Sequence, residues 1–272
     1  MSGTAPGKGR FGDLGTRIGS GLVLAFGAAG AIWAGGVLAV ALVGVALCLM
    51  LWELHRMVSG EDAVLAPALL VMGAAGLAAA VVTATAGLVW GLACLLPGAL
   101  IARLLADRDG DVLAAGMIYM GGALAALLAF RFAGADGALV ILWLVMVIAA
   151  ADIGAYFAGR SLGGPKLWPA VSPGKTRSGA VGGLVAAGVV GIAVALATGW
   201  APGRALVIGV GVAVASQAGD LLESALKRHY GVKDASTLIP GHGGVMDRLD
   251  GVMGGAWFYA LWTLVAPGVN GS

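Results

Sequence analysis

Residues 204–228 read Arg204-Ala-Leu-Val-Ile-Gly-Val-Gly-Val-Ala-Val-Ala-Ser-Gln-Ala-Gly-Asp220-Leu-Leu-Glu223-Ser224-Ala-Leu-Lys227-Arg228. From Val207 to Val214 every residue is apolar or glycine, a run suited to lipid. The same stretch then turns polar. Asp220, Glu223, Ser224 and Lys227 stand at i, i+3, i+4 and i+7, so a helix would carry them on one face. A solvated surface helix would explain the stripe alone. The hydrophobic run leading into it points instead to a cavity at a membrane boundary.

The rest of the chain repeats the apolar half of that pattern. Of 272 residues, 60% are hydrophobic and 11% charged, with a mean hydropathy of +0.96. A soluble domain carries about a quarter charged residues, so an all-α, polytopic integral membrane protein is the class left standing. Charge-poor stretches long enough to span a bilayer fall near 18–33, 35–54, 63–84, 86–105, 112–133, 137–159, 179–199, 204–228 and 251–267. That predicts nine transmembrane helices, the first and last of them short. The 48 glycines suit closely packed membrane helices. Cys48 and Cys94 fall inside spans and lack metal-site or disulfide spacing, so both read as inert thiols.

The basic residues are placed asymmetrically. Lys8, Arg10 and Arg17 precede the first span, and the links after spans 2, 4, 6 and 8 hold Arg56; Arg103 and Arg108; Arg160, Lys166, Lys175 and Arg177; and Lys227, Arg228, Lys233 and Arg248. Only Arg131 and Arg204 fall on the other side, fourteen against two of the 16 bases. The positive-inside rule then puts the N-terminus in the cytoplasm. Residues 1–16 read as a disordered cytoplasmic tail, 17–136 as a transmembrane scaffold without evident chemistry, and 137–272 as a catalytic transmembrane region. The first helix reads as uncleaved, for no small-residue cleavage site follows its basic start.

Three polar constellations lie in that last region. Asp152, in Ala-Ala-Ala-Asp152-Ile-Gly154-Ala-Tyr156, is a carboxylate inside a span, and such groups usually face a cavity or a partner. A structural ion pair is the bland alternative. Asp152 precedes Arg160 by eight residues, as Asp220 precedes Arg228, so both acids are expected about 12 Å below the basic boundary. The second constellation is the loop Gly163-Gly164-Pro165-Lys166-Leu-Trp-Pro169-Ala-Val-Ser172-Pro173-Gly174-Lys175-Thr176, which ends where a helix begins. A helix N-terminus bearing hydroxyls and a lysine can hold phosphate, although the Walker spacing is absent. A loop that merely sets topology is the competing reading.

The third constellation continues the opening stretch. After Ser224 and Lys227-Arg228 come four free residues, then Lys233-Asp234, then Gly241-His242-Gly243-Gly244-Val-Met-Asp247-Arg248-Leu-Asp250. Five of the 14 acids fall between Asp220 and Asp250, interleaved with bases. Carboxylates beside lysines and arginines suggest a polyphosphate held through a hard divalent ion. The glycines around His242 suit close approach of backbone to a ligand. His242 itself reads either as a loop hydrogen-bonder or as an acid/base group.

From Ser224 through Asp250 this run resembles the signature of the phosphatidate cytidylyltransferases, also called CDP-diacylglycerol synthases, at every fixed position. The run from Asp152 to Thr176 is similar to a second motif of the same family, with Gly174, Arg177 and Ser178 where the pattern carries Lys, Trp and Glu. The resemblance is firm over 137–267 and adds only weak echoes before it, such as Arg17-Ile18 opening the first helix and Trp52-Glu53 closing the second. It implies a membrane enzyme that condenses phosphatidic acid with CTP, giving CDP-diacylglycerol and pyrophosphate, and it suggests a homodimer.

The residues suggest the same chemistry. Phosphatidate brings its own nucleophile, so no catalytic Ser or Cys is required; two anions must be brought together and charge on the departing pyrophosphate neutralised. Asp220 and Asp247 are expected to coordinate Mg²⁺, with Asp250 and Asp152 as further ligands. Lys227, Arg228, Lys233 and Arg248 are expected to meet CTP phosphates or the lipid headgroup, and Ser172, Lys175 and Thr176 to position phosphate. Ser224, His242, Gly243 and Gly244 complete the expected substrate site. The expected setting is a bacterial inner membrane, with the site facing the cytoplasm and no nucleic-acid partner. An ion-coupled transporter using Asp152 and Asp220 is the alternative. A CDP-alcohol phosphatidyltransferase is excluded, because its Asp-Gly-x-x-Ala-Arg motif is absent: Asp250-Gly251 continues Val-Met-Gly-Gly.

Overall fold

The protein's structure, a computed structural model, describes residues 10–60, 66–106, 108–239, 241 and 243–269. Within them the order is α1 (Arg10–Ala34), α2 (Gly36–Ser59), α3 (Pro67–Ala86), α4 (Leu88–Leu105), α5 (Gly110–Phe132) and α6 (Gly137–Leu162). A short hairpin, β1 (Lys166–Trp168) and β2 (Ser172–Thr176), leads to α7 (Arg177–Thr198), α8 (Pro202–His229) and α9 (Met246–Val265). Eight of the nine expected spans coincide with these helices to within about five residues, because each apolar run is broken by glycine, proline or charge, while α1 begins eight residues before the span expected at 18–33. Gly87 is the sharpest break: at φ 96 it alone links α3 to α4, a conformation few side chains tolerate.

Helices α2 to α8 are the seven among the described residues that are long and apolar enough to cross a membrane. The apolar part of α1 is only Gly21–Ala34, and α9 opens on Asp247, Arg248 and Asp250. The fold is therefore all-α and polytopic, with one small hairpin that glycine- and proline-rich sequence had disguised as loop. Its strands are antiparallel, pairing Lys166 with Thr176 and Trp168 with Ser172. Helix α1 begins at Arg10, inside the stretch read as tail.

The core is built where α2, α5, α6 and α8 meet. Leu47, Met50, Leu51, Leu54, Leu113, Met117, Trp143, Leu144 and Ile208 are all fully buried there. Lipid-facing sides show the reverse: Val181, Val185 and Val189 form an exposed stripe along α7. The opposite side of α7 is small. A Cβ placed on Gly154 of α6 would lie 2.5 Å from the Ala186 Cβ and 2.9 Å from the Gly182 carbonyl oxygen. One on Gly183 would lie 2.7 Å from the Ala151 carbonyl oxygen. Close backbone approach is what holds membrane helices together when lipid is as apolar as leucine. Gly154→Val is expected to cost about 1–3 kcal/mol by overpacking this seam, read as a lower unfolding temperature in detergent.

The two basic residues that break the charge asymmetry have structural partners. Arg131, at the end of α5, donates from Nε to the Ile32 carbonyl at 2.5 Å and from Nη2 to the Trp33 carbonyl at 3.0 Å, capping the last turn of α1. Arg204 donates to the Gly268 carbonyl at 3.3 Å. Cys48 and Cys94 are both free thiols.

Candidate active site

Between α6, α7, α8 and the hairpin lies a cavity of about 710 Å³. Asp152 enters it from α6 and Asp220 from α8, so the two acids that shared a depth on paper also share a site. Tyr156, Arg160, Lys166, Lys175 and Gln217 line the same space. Lys175, on β2, forms an ion pair with Asp220 Oδ2, and Ser224 Oγ donates to Asp220 Oδ1 at 3.2 Å. Ser172 pairs with Trp168 across the hairpin, three residues before Lys175, and is not among the described residues lining the cavity.

Thr176 lines the cavity beside Lys175 and has a structural task as well. It is 8% exposed and forms the N-cap of α7, where its Oγ1 accepts the Gly179 amide at 3.1 Å. Ser178, which stands in place of the family's Glu, shares a hydrogen bond with that hydroxyl at 3.1 Å and donates to the Gly163 carbonyl. The hairpin is thereby bolted to both α6 and α7.

The polar stripe of α8 divides in two. Asp220 and Ser224 turn toward the hairpin. Glu223 and Lys227 turn inward, only 4% and 9% exposed, against the chain that leads into α9. Lys227 Nζ donates to Glu223 Oε1 at 3.0 Å and to Asp247 Oδ1 at 2.6 Å. Asp247 Oδ2 accepts the amides of Ala235 at 2.9 Å and Gly244 at 2.8 Å. Both oxygens of Asp247 are thus occupied, and Lys227 is an internal counter-ion. Arg228, Lys233 and Arg248 are exposed around this end of the protein, Arg228 donating to the Val232 carbonyl at 3.1 Å. His242 lies outside the described residues.

Sequence reasoning treated Glu53 only as a faint echo, yet it is central here. Its carboxylate, from α2, is fully buried. Oε1 accepts Ser236 Oγ at 2.6 Å and the Val245 amide at 2.8 Å, and Oε2 accepts the Met246 amide at 2.7 Å. These are orphan donors at the start of α9, which has no side-chain cap of its own. The rule that singled out Asp152, a carboxylate in an apolar span, applies equally to Glu53. The signature glycines follow from it. A Cβ on Gly244 would strike the Glu53 carboxylate, and one on Gly243, at φ 79, would lie 2.8 Å from Asp247 Oδ2. These two glycines make room for protein carboxylates.

The N-terminal half touches the site twice more. Tyr119 of α5 lies in the field of Glu223 and Asp250. Tyr230, just past α8, donates to Asp109 Oδ2 at 3.0 Å, and burial together with that carboxylate pushes its phenol up to about 12.

Charge balance decides what the site can hold. Asp250 feels both Asp220 and Asp152, and Glu223 feels Asp247 and Asp250, so these five carboxylates form one electrostatic cluster. Asp220 and Asp247 are paired with the ammonium groups of Lys175 and Lys227, and Arg160 and Lys166 line the cavity beside Asp152 and Asp220. Glu223 Oε2 is buried with no hydrogen-bond partner. No group of three or more His, Cys, Asp or Glu side chains among the described residues is already gathered around one point. A hard, oxygen-only donor set beside these bases nevertheless suits a divalent cation that brings phosphate oxygens with it. Of the four acids expected to hold it, Asp152 and Asp220 line the cavity, while Asp247 and Asp250 are not among its described lining residues.

Residues 15–265 match the model of the Cytidylyltransferase family. Phosphatidate cytidylyltransferases of Brucella suis and Brucella melitensis are each 46% identical to this chain over 145 residues, covering 53% of it and 53% of theirs. The phosphatidate cytidylyltransferase of Bacillus subtilis is 46% identical over 122 residues, 42% of this chain and 43% of that protein. The chain thus spans about half the length of the curated relatives it matches.

Proposed function

This chain belongs to the cytidylyltransferase family, and from that premise we propose that it transfers the cytidylyl group of CTP to phosphatidic acid, releasing pyrophosphate and leaving CDP-diacylglycerol in the membrane. The observation that carries the reading is the cavity where Asp152 and Asp220 meet Lys175, Arg160 and Lys166 at the basic end of membrane helices. A transporter has no use for such a cluster of bases beside its acids. The fourteen-to-two distribution of Lys and Arg supports nine spans, a cytoplasmic N-terminus, and a site open to the cytoplasm of a bacterial cell, where CTP is found.

A phosphomonoester oxygen of phosphatidate forms the new bond to the α-phosphorus of CTP. The bond from that phosphorus to the β-phosphate oxygen breaks, and its electron pair leaves with pyrophosphate, so no protein nucleophile or proton transfer is required. Asp220, Asp152 and Asp250 would hold Mg²⁺, which supplies charge neutralisation for the attacking and leaving oxygens when bound. Lys175, released from Asp220, meets a phosphate inside the cavity. Arg160 and Lys166 hold the lipid headgroup at its mouth, and Arg228, Lys233 and Arg248 gather the nucleotide phosphates. Lys227 and Asp247 keep the chain before α9 in place.

Detergent-purified protein given phosphatidic acid, labelled CTP and Mg²⁺ is expected to form CDP-diacylglycerol and pyrophosphate one for one. Chelation with EDTA is expected to stop both, and restored Mg²⁺ to return them. Pyrophosphate release with a different lipid acceptor would change the substrate. No CTP consumption by folded protein across lipids and metals would overturn the reading.

A further inference from the structure

The half of the chain that looked like inert scaffold supplies a charged group to the site. Glu53 sits on α2, within the most apolar of the seven spanning helices, and is completely buried. Burying a carboxylate is costly unless its oxygens are hydrogen-bonded, and here they are. Its three donors among the described residues belong to one segment: Ser236, Val245 and Met246. Asp247 fastens the same segment from inside, through the amides of Ala235 and Gly244. The two carboxylates close the ends of the loop from Ala235 to Met246, and the first turn of α9 that follows carries Asp247, Arg248 and Asp250. Asp250 in turn lies in the field of Asp220 and Asp152, across the boundary between α8 and α9. That boundary is close-packed: a Cβ on Gly219 of α8 would lie 2.6 Å from the Asp250 carbonyl oxygen. A carboxylate at Glu53 therefore sets where α9 begins, and with it the angle at which its first-turn acids approach Asp220.

We propose that Glu53 is a positioning residue for nucleotidyl transfer: from α2 it fixes the N-terminus of α9 and the loop before it, aligning Asp250 with Asp220. The inference rests on the proposed reaction. A displacement of about 1 Å at a reacting centre costs roughly 10²-fold in rate. Glu53 touches no substrate, so its loss falls on kcat and leaves the KM for CTP close to that of the wild type.

The test compares Glu53→Gln and Glu53→Ala with the wild type in the same detergent. Turnover is measured with phosphatidic acid, CTP and Mg²⁺, and amide hydrogen exchange is followed at residues 235–246 without substrate. Glu53→Gln keeps the shape and an oxygen acceptor but loses the charge and one of the two acceptor oxygens. It is expected to retain the fold and lose roughly 10²-fold in kcat, with an unchanged KM and faster exchange at Val245 and Met246. Glu53→Ala is expected to exchange faster still and to be less active. A purely structural role would leave kcat per folded molecule and the Mg²⁺ requirement unchanged and reduce only the yield, which overturns the proposal. Unchanged exchange at Val245 and Met246 in both variants overturns it as well. If the wild type itself forms no CDP-diacylglycerol, the reaction assignment has failed, whereas the exchange measurement still decides whether Glu53 holds the loop.

Discussion

Asp220→Asn is expected to lower CDP-diacylglycerol formation by roughly 10³-fold or more while leaving the protein folded. The chemistry needs a full negative charge at this position, because an amide is a poor ligand for a hard divalent ion and cannot direct it. The fold does not need it. Asp220 and Lys175 are 29% and 28% exposed at their side chains, within a cavity that water enters, so Lys175 stays solvated when its partner becomes neutral. The same change at Asp152, which lines the same cavity, is expected to be milder, since no ion pair is recorded for it among the described residues and its contribution is to the shared field. The measurement is turnover beside an unfolding curve in detergent. An Asp220→Asn protein that fails to fold would make the Lys175 contact a structural ion pair and return the cavity to an open question. An Asp220→Asn protein that folds and turns over normally would remove Asp220 from the chemistry.

The helices were legible because each is written twice, once in its apolar run and once in the breaker that ends it. Depth was legible as well: equal spacing of Asp152 and Asp220 from Arg160 and Arg228 placed them at one level, and they line one cavity. Direction around a helix was harder to read. Positions i, i+3, i+4 and i+7 share a broad face, but α9 and the hairpin pack on either side of it, so Glu223 and Lys227 turn one way and Asp220 and Ser224 the other. Sequence spacing alone does not say which neighbour lies on which side. The role of Glu53 was hidden for a related reason. Its three partners lie 183 to 193 residues away, and nothing local in Leu-Trp-Glu53-Leu announces them. The hairpin escaped because strands of three and five residues, the second interrupted by Pro173-Gly174, carry too short a pattern to separate from loop. The signature glycines were legible as places of close approach, while what approaches them was not.

Lys227→Met is expected to be the most destabilising single change in the region, at about 3–5 kcal/mol. Lys227 is the one ammonium between Glu223 and Asp247, and the three side chains are 11%, 4% and 5% exposed. Removing it strands two carboxylates in a place that water scarcely reaches. Glu223 would then have no recorded partner at either oxygen, since its Oε2 has none already. Asp247 would keep its two backbone amides and lose its counter-charge. The sign of the companion change is opposite in origin. Glu223→Gln removes one of the two carboxylates that share Lys227 and leaves the ammonium paired with Asp247, so its cost is small. It follows that Lys227→Met combined with Glu223→Gln should recover part of the loss, with a coupling energy of about 0.5–3 kcal/mol in a double-mutant cycle. The readout is thermal unfolding in detergent for all four proteins, with turnover measured beside it. If Lys227→Met unfolds at the wild-type temperature and only turnover falls, the ammonium's real partner is a substrate phosphate, and the pairing with Glu223 and Asp247 is its resting position. If stability falls and the second substitution restores it, Lys227 is the internal counter-ion that holds the signature loop, and the phosphates are met by Lys175 and the exposed arginines around it.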